Sequence, residues 1–273
     1  MSETAWIDVP GAQIAAEFER QRGADGPPLV FLHAGVADGR MWQPQWEAFA
    51  ATHPRLRYDR RGFGQTRTLQ PMPYSRTADL LAVLDGFGLP RAVLVGCSQG
   101  GRVALDLAVA RPDRVAALVL VAPAVTGAPT PELQGAVKAL ADAAEAAVAD
   151  GNLDTANLLE AHLWLDGPTA PRGRVGGAAR ELFLDMNAIA LAAPDPGTAI
   201  DEPSAWVRLE LIGRPTLVVW GDRDLPHLQD RCAALVQRIP GARGKLLAGT
   251  AHLPNLEEPA RFDAALTEFL GTL

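Results

Sequence analysis

Short apolar runs alternate with longer amphipathic stretches through the first 124 residues of the chain. The runs have the length of β-strands, and the stretches are typical of helices with one apolar face. Strands are predicted at 13–20, 29–32, 56–58, 92–96 and 115–121, and helices at 42–51, 75–87 and 99–110. Because such alternation is typical of βαβ units, the pattern predicts an α/β fold with a mostly parallel sheet.

Two of the predicted strands contain runs that are apolar at every position. Val93, Leu94 and Val95 form one such run, and residues 118–121 form the other. A strand with one face in water alternates in polarity, so these strands are expected to have helices on both faces. The sequence therefore predicts a doubly wound sheet of about eight strands.

The strand signal stops after Pro123 and stays absent for roughly eighty residues. Ala-rich sequence of high helix propensity takes its place from 131 to 206. The earlier pattern then resumes with strands at 215–220 and 245–248 and helices at 229–238 and 259–270. This predicts a core of residues 1–124 and 207–273, and a helical cap of residues 125–206 inserted after the sixth strand.

Composition and charge limit the class of partner. The 273 residues are 48% hydrophobic and 21% charged, which is the balance of a globular protein. The net charge is -7, and the arginines form no long basic block. Since recognition of a phosphate backbone needs clustered positive charge, we expect no nucleic-acid partner.

Membrane and cofactor signals are also missing from the sequence. There is no apolar stretch of roughly 20 residues and no basic segment leading into an apolar run, so we expect no membrane partner and a cytoplasmic location. Cys97 and Cys232 have no metal-ligand spacing, and no phosphate-binding or dinucleotide-binding glycine motif occurs. We therefore expect neither a metal nor a cofactor, and the oligomeric state stays open.

The clearest candidate for chemistry is the Gly-Cys-Ser-Gln-Gly segment at 96–100, between a predicted strand and a predicted helix. A serine on such a turn is held in a strained backbone conformation that needs small neighbours, and its hydroxyl is exposed at the carboxyl end of the sheet. The N-terminus of the helix favours negative charge developing beside it. Ser98 is therefore predicted to be a nucleophile rather than an incidental serine in a glycine-rich turn.

A serine hydroxyl needs a base within hydrogen-bond reach and a carboxylate that orients this base. His252 directly follows the last predicted strand and so reaches the same sheet edge as Ser98. The remaining histidines apart from His33 are interpreted as surface or packing residues; they are His53, His162 and His227. Asp222 and Asp224 follow the strand before His252, and both are candidates for the acid.

Further segments complete a family resemblance. They are Phe31-Leu32-His33-Ala34-Gly35, Tyr58-Asp59-Arg60-Arg61-Gly62-Phe63-Gly64-Gln65-Thr66 and Leu253-Pro254-Asn255-Leu256-Glu257. Together with the chain order serine, acid and histidine, they resemble the α/β-hydrolase family, in its serine-hydrolase branch, over nearly the whole chain. The stretch at 40–45 resembles enol-lactonases and esterases.

The resemblance implies roles for individual residues. The family acid at the end of a G-x-x-D maps onto Asp224, which makes Asp222 a turn residue. The backbone N–H groups of Gly35 and Gln99 correspond to the oxyanion hole. Ala34 stands where the family usually has Gly, and because Ala disfavours a positive φ, the geometry of this loop stays open.

Other residues are expected to shape the site without taking part in the chemistry. His33, Asp59 and Arg61 are expected to be structural. The substrate pocket is predicted to be lined by Val36, Trp164, Phe183, Met186, Trp206 and Leu253. Since these are mostly apolar side chains, we expect a small-molecule substrate with an apolar portion.

The resemblance implies hydrolysis of a carboxylic ester or lactone through an acyl-enzyme. A serine nucleophile argues against the haloalkane dehalogenases and epoxide hydrolases of this fold, which use Asp there. Carbon–carbon bond hydrolases and cofactor-free haloperoxidases keep the serine and stay as alternatives. A non-catalytic ligand-binding module with a vestigial triad is a third alternative, against which the completeness of the triad argues.

Overall fold

The computed structural model describes residues 4–200 and 203–273, which contain a sheet of nine strands. The strands are β1 Ala5–Val9, β2 Ala12–Glu19, β3 Leu29–Leu32, β4 Arg55–Tyr58, β5 Arg67–Thr68, β6 Ala92–Cys97, β7 Val115–Val121, β8 Thr216–Gly221 and β9 Arg243–Leu247. The α-helices are α1 Gln43–Ala48, α2 Arg76–Gly86, α3 Gln99–Ala110, α4 Gly135–Ala149, α5 Leu153–Glu160, α6 Gly177–Ala192, α7 Pro226–Arg238, α8 Pro254–Glu257 and α9 Pro259–Leu270. A π-helical turn, Ala161–Asp166, continues α5.

The strands lie in the order β1-β2-β4-β3-β6-β7-β8-β9, and β5 pairs with β2. Neighbours from β4 to β9 are parallel, whereas the pairs that β2 makes are antiparallel. The predicted α/β fold with a mostly parallel sheet is confirmed. Parallel pairing brings the carboxyl ends of β3, β6, β8 and β9 to one edge, where the predicted site residues follow each strand.

Helices cover both faces of the sheet, as the fully apolar strands predict. On one face Leu94 and Leu118 pack with residues of α2, α3 and α7, including Cys232. On the other face Val95 and Val119 pack with residues of α1 and α9. Successive residues of one strand therefore point into two different apolar clusters, which fixes the strand register and the position of each strand end.

The described residues form nine strands where about eight were expected, and the helical segment follows the seventh strand instead of the predicted sixth. The additional strands lack a strong apolar pattern. β1 alternates between partly buried and exposed positions at the sheet edge, and β5 has only two residues. Both pair with β2 and lie away from the carboxyl edge of β6.

Between β7 and β8 the chain forms α4, α5 with its π-helical turn, and α6. Helix α6 contacts the π-helical turn and the short 3₁₀ helix Gly39–Trp42 that follows β3. These helices therefore lie at the carboxyl edge of the sheet. Within the described residues, no helix combines the length and the apolarity that crossing a bilayer requires.

Candidate active site

The segment that joins β6 to α3 is a tight turn with Ser98 at its apex. Ser98 has φ 51° and ψ -113°, and among the described non-glycine residues only Ala122 shares its positive φ. Such conformations cost about 1 to 3 kcal/mol each and persist where the surroundings hold them. The Ser98 N–H donates to the Val121 carbonyl oxygen at 2.8 Å, and the Ser98 carbonyl oxygen accepts from the Ala124 N–H at 2.9 Å. The end of β7 and the loop after it thus hold the backbone of the predicted nucleophile.

The glycines on both sides of Ser98 are required by close packing. A Cβ atom at Gly96 would lie 2.5 Å from the Gly100 carbonyl oxygen, and a Cβ atom at Gly100 would collide with the Leu32 carbonyl oxygen. Both obstacles are backbone atoms of the sheet edge and of α3, which cannot move aside as a flexible side chain could. The small neighbours that the sequence predicts for this turn therefore have a geometric reason.

His252 and Asp224 form a buried hydrogen-bonded pair. The His252 Nδ1 atom lies 2.7 Å from Asp224 Oδ2, and each residue is only 3% exposed. Because an ionised carboxylate can only accept, Nδ1 carries the proton and Nε2 is left as the basic nitrogen. The other Asp224 oxygen accepts from the Leu225 N–H at 2.7 Å. Trp164 packs against the imidazole with the ring centroids 4.7 Å apart.

Asp222, the second candidate for the acid, is directed elsewhere. Its Oδ1 atom accepts from the Gly249 N–H at 2.6 Å, and the residue is exposed. It thereby ties the turn after β8 to the turn after β9. The geometry places Asp224, and not Asp222, beside His252.

The two residues predicted as oxyanion donors lie on the cavity of Ser98 and His252. Gln99 is the first residue of α3, and a Cβ atom at Gly35 would lie 2.7 Å from the Gln99 Cδ atom. The loop after β3 therefore packs directly on the Gln99 side chain. Ala34 is fully buried and has no positive φ, so Ala in place of Gly imposes no backbone strain on this loop.

Buried polar contacts hold the loops around this cavity. The His33 Nδ1–H donates to the Ala34 carbonyl oxygen at 2.7 Å, and Nε2 accepts from the Arg60 N–H at 2.9 Å. Burial, reinforced by the Arg60 charge, lowers the pKa of His33 well below its usual value, so this imidazole is neutral. Asp59 accepts from two backbone N–H groups, and burial raises its pKa to about 6. Arg61 forms a buried ion pair with Asp79 at 2.7 Å.

The cavity at this site has a volume of about 400 Å³. Its lining includes Ser98, His252, Gly35 and Gln99, and of the residues predicted for the substrate pocket it includes Val36 and Trp164. Trp164 belongs to the π-helical turn, so the helices between β7 and β8 contribute directly to the wall beside His252.

The other four residues predicted for the pocket do not line this cavity in the part of the chain that the structure describes. Phe183, Met186 and Leu253 are at most 1% exposed and fill the apolar cluster on the α1 and α9 face. Helix α6, which carries Phe183 and Met186, contacts the segment after β3, so these two side chains join the helix to the sheet domain rather than facing the cavity. Trp206 packs on the opposite face, under the Arg238 guanidinium at 4.7 Å.

Several polar side chains of the cavity were not predicted from the sequence. They are Arg102, Thr130, Glu160, His227 and Arg231. The sequence signal that could have identified two of them is helical spacing. Arg102 comes one helical turn after Ser98, and Arg231 comes one turn after His227. Within the described residues, no group of three or more His, Cys, Asp or Glu side chains converges as a metal site.

A second cavity, of about 430 Å³, lies beside the first and shares Trp164 and Glu160 with it. Its other lining residues come mainly from α4 and are largely apolar; they include Leu133, Ala141, Ala144, Val148, Leu163 and Leu225. The site thus combines a polar compartment at Ser98 with an apolar compartment between the helices.

Known proteins are similar to this chain over the segments that carry Ser98, Asp224 and His252. The model of the alpha/beta hydrolase family matches residues 29–265, a range that includes Ser98, Asp224 and His252. The proposed carbamate hydrolase RutD of Pseudomonas syringae is 27% identical over 270 residues, which are 94% of this chain and 98% of that protein. RutD of Caulobacter segnis is 39% identical over 101 residues, and this match spans 35% of the chain and 38% of that relative's length.

The fold is also similar to that of an enzyme whose structure has been solved. The enol-lactonase from Burkholderia xenovorans LB400 has a TM-score of 0.77 and 25% sequence identity to this chain. The similarity covers 98% of this chain and 100% of the enol-lactonase. The helices between β7 and β8 are therefore largely included in the likeness.

Proposed function

The chain belongs to the alpha/beta hydrolase family and is a hydrolase, and from this premise we propose that it cleaves a carboxylic ester or lactone by serine catalysis. One observation carries the proposal: a single cavity is lined by Ser98 on its strained turn and by His252, whose imidazole is hydrogen-bonded to Asp224. An oriented base beside an exposed hydroxyl is the requirement for activating a serine.

In the acylation step, Ser98 Oγ attacks the substrate carbonyl carbon and His252 Nε2 accepts the hydroxyl proton. The negative charge that develops on the carbonyl oxygen is stabilised by the backbone N–H groups of Gly35 and Gln99. The positive N-terminus of α3 acts in the same direction. Collapse of the tetrahedral intermediate breaks the bond to the alcohol oxygen, which takes the proton from His252.

In the deacylation step, water attacks the acyl-enzyme and gives its proton to His252 Nε2. The second tetrahedral intermediate collapses to the free acid, and the proton returns to Ser98 Oγ. Asp224 stays ionised in both steps and stabilises the imidazolium through its bond to Nδ1. For a lactone the same acyl–oxygen bond breaks, but the alcohol stays joined to the acyl group through the carbon chain, so that hydrolysis releases a single hydroxy acid.

The choice of ester or lactone is supported by the full-length likeness to an enol-lactonase. The relatives named RutD are proposed carbamate hydrolases, and a carbamate carbonyl would meet the same nucleophile and the same N–H groups. The discriminating experiment is therefore a substrate panel of p-nitrophenyl esters, lactones and carbamates at equal concentration.

We propose that residues 125–206 act as a cap that selects the substrate. In support, Trp164 of the π-helical turn contacts His252 and separates the two cavities, which share it as a wall. The apolar compartment between α4 and the π-helical turn suits an acyl chain or ring, while the reacting carbonyl lies at Ser98.

A fluorophosphonate probe tests the nucleophile directly. We expect one equivalent of probe on Ser98, found by mass spectrometry of the peptide that contains 96–100, because only an activated serine reacts at a useful rate. Unfolded protein serves as the control and is expected to remain unlabelled. Absence of labelling together with absence of turnover across the panel would instead support a non-catalytic ligand-binding module.

The substitution Trp164→Ala tests the proposed cap. Removal of the indole merges the two cavities and makes room for a larger acyl group. We therefore expect the selectivity ratio, kcat/KM for a bulky ester divided by kcat/KM for an acetate ester, to rise about tenfold or more. The measurement compares a short and a long p-nitrophenyl ester on the purified variant. Because the indole also packs on His252, the ratio is the readout rather than either rate alone.

Phe183→Ala is the matched control, since this aromatic side chain lies in the same helical segment but is buried in the apolar cluster. We expect it to lower the free energy of unfolding by about 3 to 5 kcal/mol and to leave the selectivity ratio unchanged in the folded fraction. A selectivity change in Phe183→Ala as large as that in Trp164→Ala would contradict the separation of wall from core.

A further inference from the structure

Basic side chains from two helices line the cavity beside Ser98. Arg102 lies one turn along α3, and its backbone N–H donates to the Ser98 carbonyl oxygen at 3.1 Å. His227 and Arg231 come from successive turns of α7 and lie on the same cavity. A cavity that only had to hold a neutral ester would not need the charge of Arg231.

Arg231 has an incomplete set of partners. Its Nη2 atom donates to the Pro129 carbonyl oxygen at 3.2 Å, and no carboxylate of the described residues lies within ion-pair distance of it. Burial lowers the pKa of this guanidinium and the nearby charge of Arg102 acts in the same direction, whereas the charge of Asp224 raises it. By contrast, the buried Arg61 and the half-buried Arg180 are each paired with an aspartate.

The carboxylates around the cavity have hydrogen-bond partners other than Arg231. Both oxygens of Asp224 are engaged, one by His252 and one by the Leu225 N–H. Glu160 lies on the cavity wall, where its Oε2 atom accepts from Asn187 Nδ2 at 2.6 Å. Burial raises the pKa of Glu160, and the hydrogen bond from Asn187 acts in the opposite direction. A half-buried guanidinium that has no directly paired carboxylate is free to bind one that a ligand supplies.

We propose that the substrate carries a carboxylate that binds Arg231, with Arg102 beside it, while its ester group reacts at Ser98; this inference rests on the proposed function. The planar guanidinium fork matches a carboxylate with two parallel hydrogen bonds. Because Arg231 and Ser98 line the same cavity of about 400 Å³, one small molecule can contact both. Half-esters of short dicarboxylic acids carry the required carboxylate and ester in one such molecule.

A matched pair of substrates tests the inference. The p-nitrophenyl monoester of glutaric acid and p-nitrophenyl pentanoate have acyl chains of equal length and differ in the terminal carboxylate. We expect the wild-type protein to prefer the anionic ester, and Arg231→Met to lower kcat/KM for it by about tenfold to hundredfold, mainly through KM. The kcat/KM for the pentanoate ester should change less than about threefold in this variant. Arg231→Lys should restore part of the preference, because it keeps the charge without the fork.

Arg243→Met is the control for charge alone, since this exposed arginine is the first residue of β9 and lies at the opposite end of the strand from the site. This substitution should leave kcat/KM unchanged for both esters. Equal use of both esters by the wild type, unaffected by Arg231→Met, would overturn the carboxylate site and leave the proposed hydrolase function standing.

A binding measurement separates the two proposals if neither ester is hydrolysed, an outcome that would count against serine hydrolysis of such esters. Free glutarate should then still raise the Tm of the Ser98→Ala protein, and this rise should be lost when Arg231→Met is added. No rise in the Tm with glutarate would overturn the carboxylate site independently of catalysis.

Discussion

Replacement of Ser98 by Ala is expected to lower kcat by about 10⁴-fold to 10⁶-fold on every substrate of the protein. The change removes the only atom that forms the acyl-enzyme, and the residual rate comes from substrate binding and the Gly35 and Gln99 N–H groups. The backbone bonds of Ser98 to Val121 and Ala124 do not depend on its hydroxyl. The Tm should therefore shift little, and the measurement is kcat with circular dichroism of the same sample.

Ser75→Ala provides the control, because Ser75 caps α2 by accepting from the Ala78 N–H at 3.1 Å. It should lower the free energy of unfolding by about 0.5 to 2 kcal/mol and leave kcat unchanged. The two serines thus separate stability from catalysis. A Ser98→Ala protein that keeps more than about a tenth of the wild-type kcat would refute the nucleophile, given the scale of such losses.

The strand ends around the site could be predicted because they are encoded locally. Apolar runs such as that of β6 mark buried strands, and parallel pairing then brings the residues after β6, β8 and β9 to one edge. The glycines at 96 and 100 identify the turn without knowledge of what they contact. β1 and β5 escaped prediction because one is half exposed at the sheet edge and the other has two residues.

The cavity wall could not be predicted in the same way. Trp164, which the sequence analysis places in the pocket and which lines the cavity, lies in a π-helical turn. The wider repeat of this turn breaks the 3.6-residue spacing, so helix periodicity does not give the direction of its side chain. Phe183 and Met186 have the spacing of an apolar helix face, but the sequence does not reveal whether that face meets the cavity or the sheet domain. Only the contact of α6 with the segment after β3 decides this.

The basic residues of the cavity were hidden for a different reason. A charged side chain on an amphipathic helix is usually in water, and nothing in the local pattern distinguishes Arg231 from the exposed arginines of the chain. Its significance depends on α7 packing beside β8, which turns one face of that helix toward Ser98. Charges brought together by tertiary packing are thus the part of the site that a sequence conceals most.

Asp224→Asn is expected to lower kcat by about 10⁴-fold, whereas Asp222→Asn should change it less than about threefold. Asp224 accepts from the Nδ1–H of His252 at 2.7 Å. An asparagine can turn its own N–H toward Nδ1, which moves the proton of the imidazole to Nε2 and leaves no base facing Ser98.

Asp222→Asn keeps an amide oxygen that can still accept from the Gly249 N–H, so the turn is preserved and the base is untouched. Both substitutions remove one negative charge within two residues of each other, which makes each the electrostatic control for the other. The measurement is kcat for both variants at one pH on one substrate, together with their Tm. Equal losses would mean that the charge of this loop matters rather than the tautomer of His252, and a larger loss in Asp222→Asn would reverse the assignment of the acid.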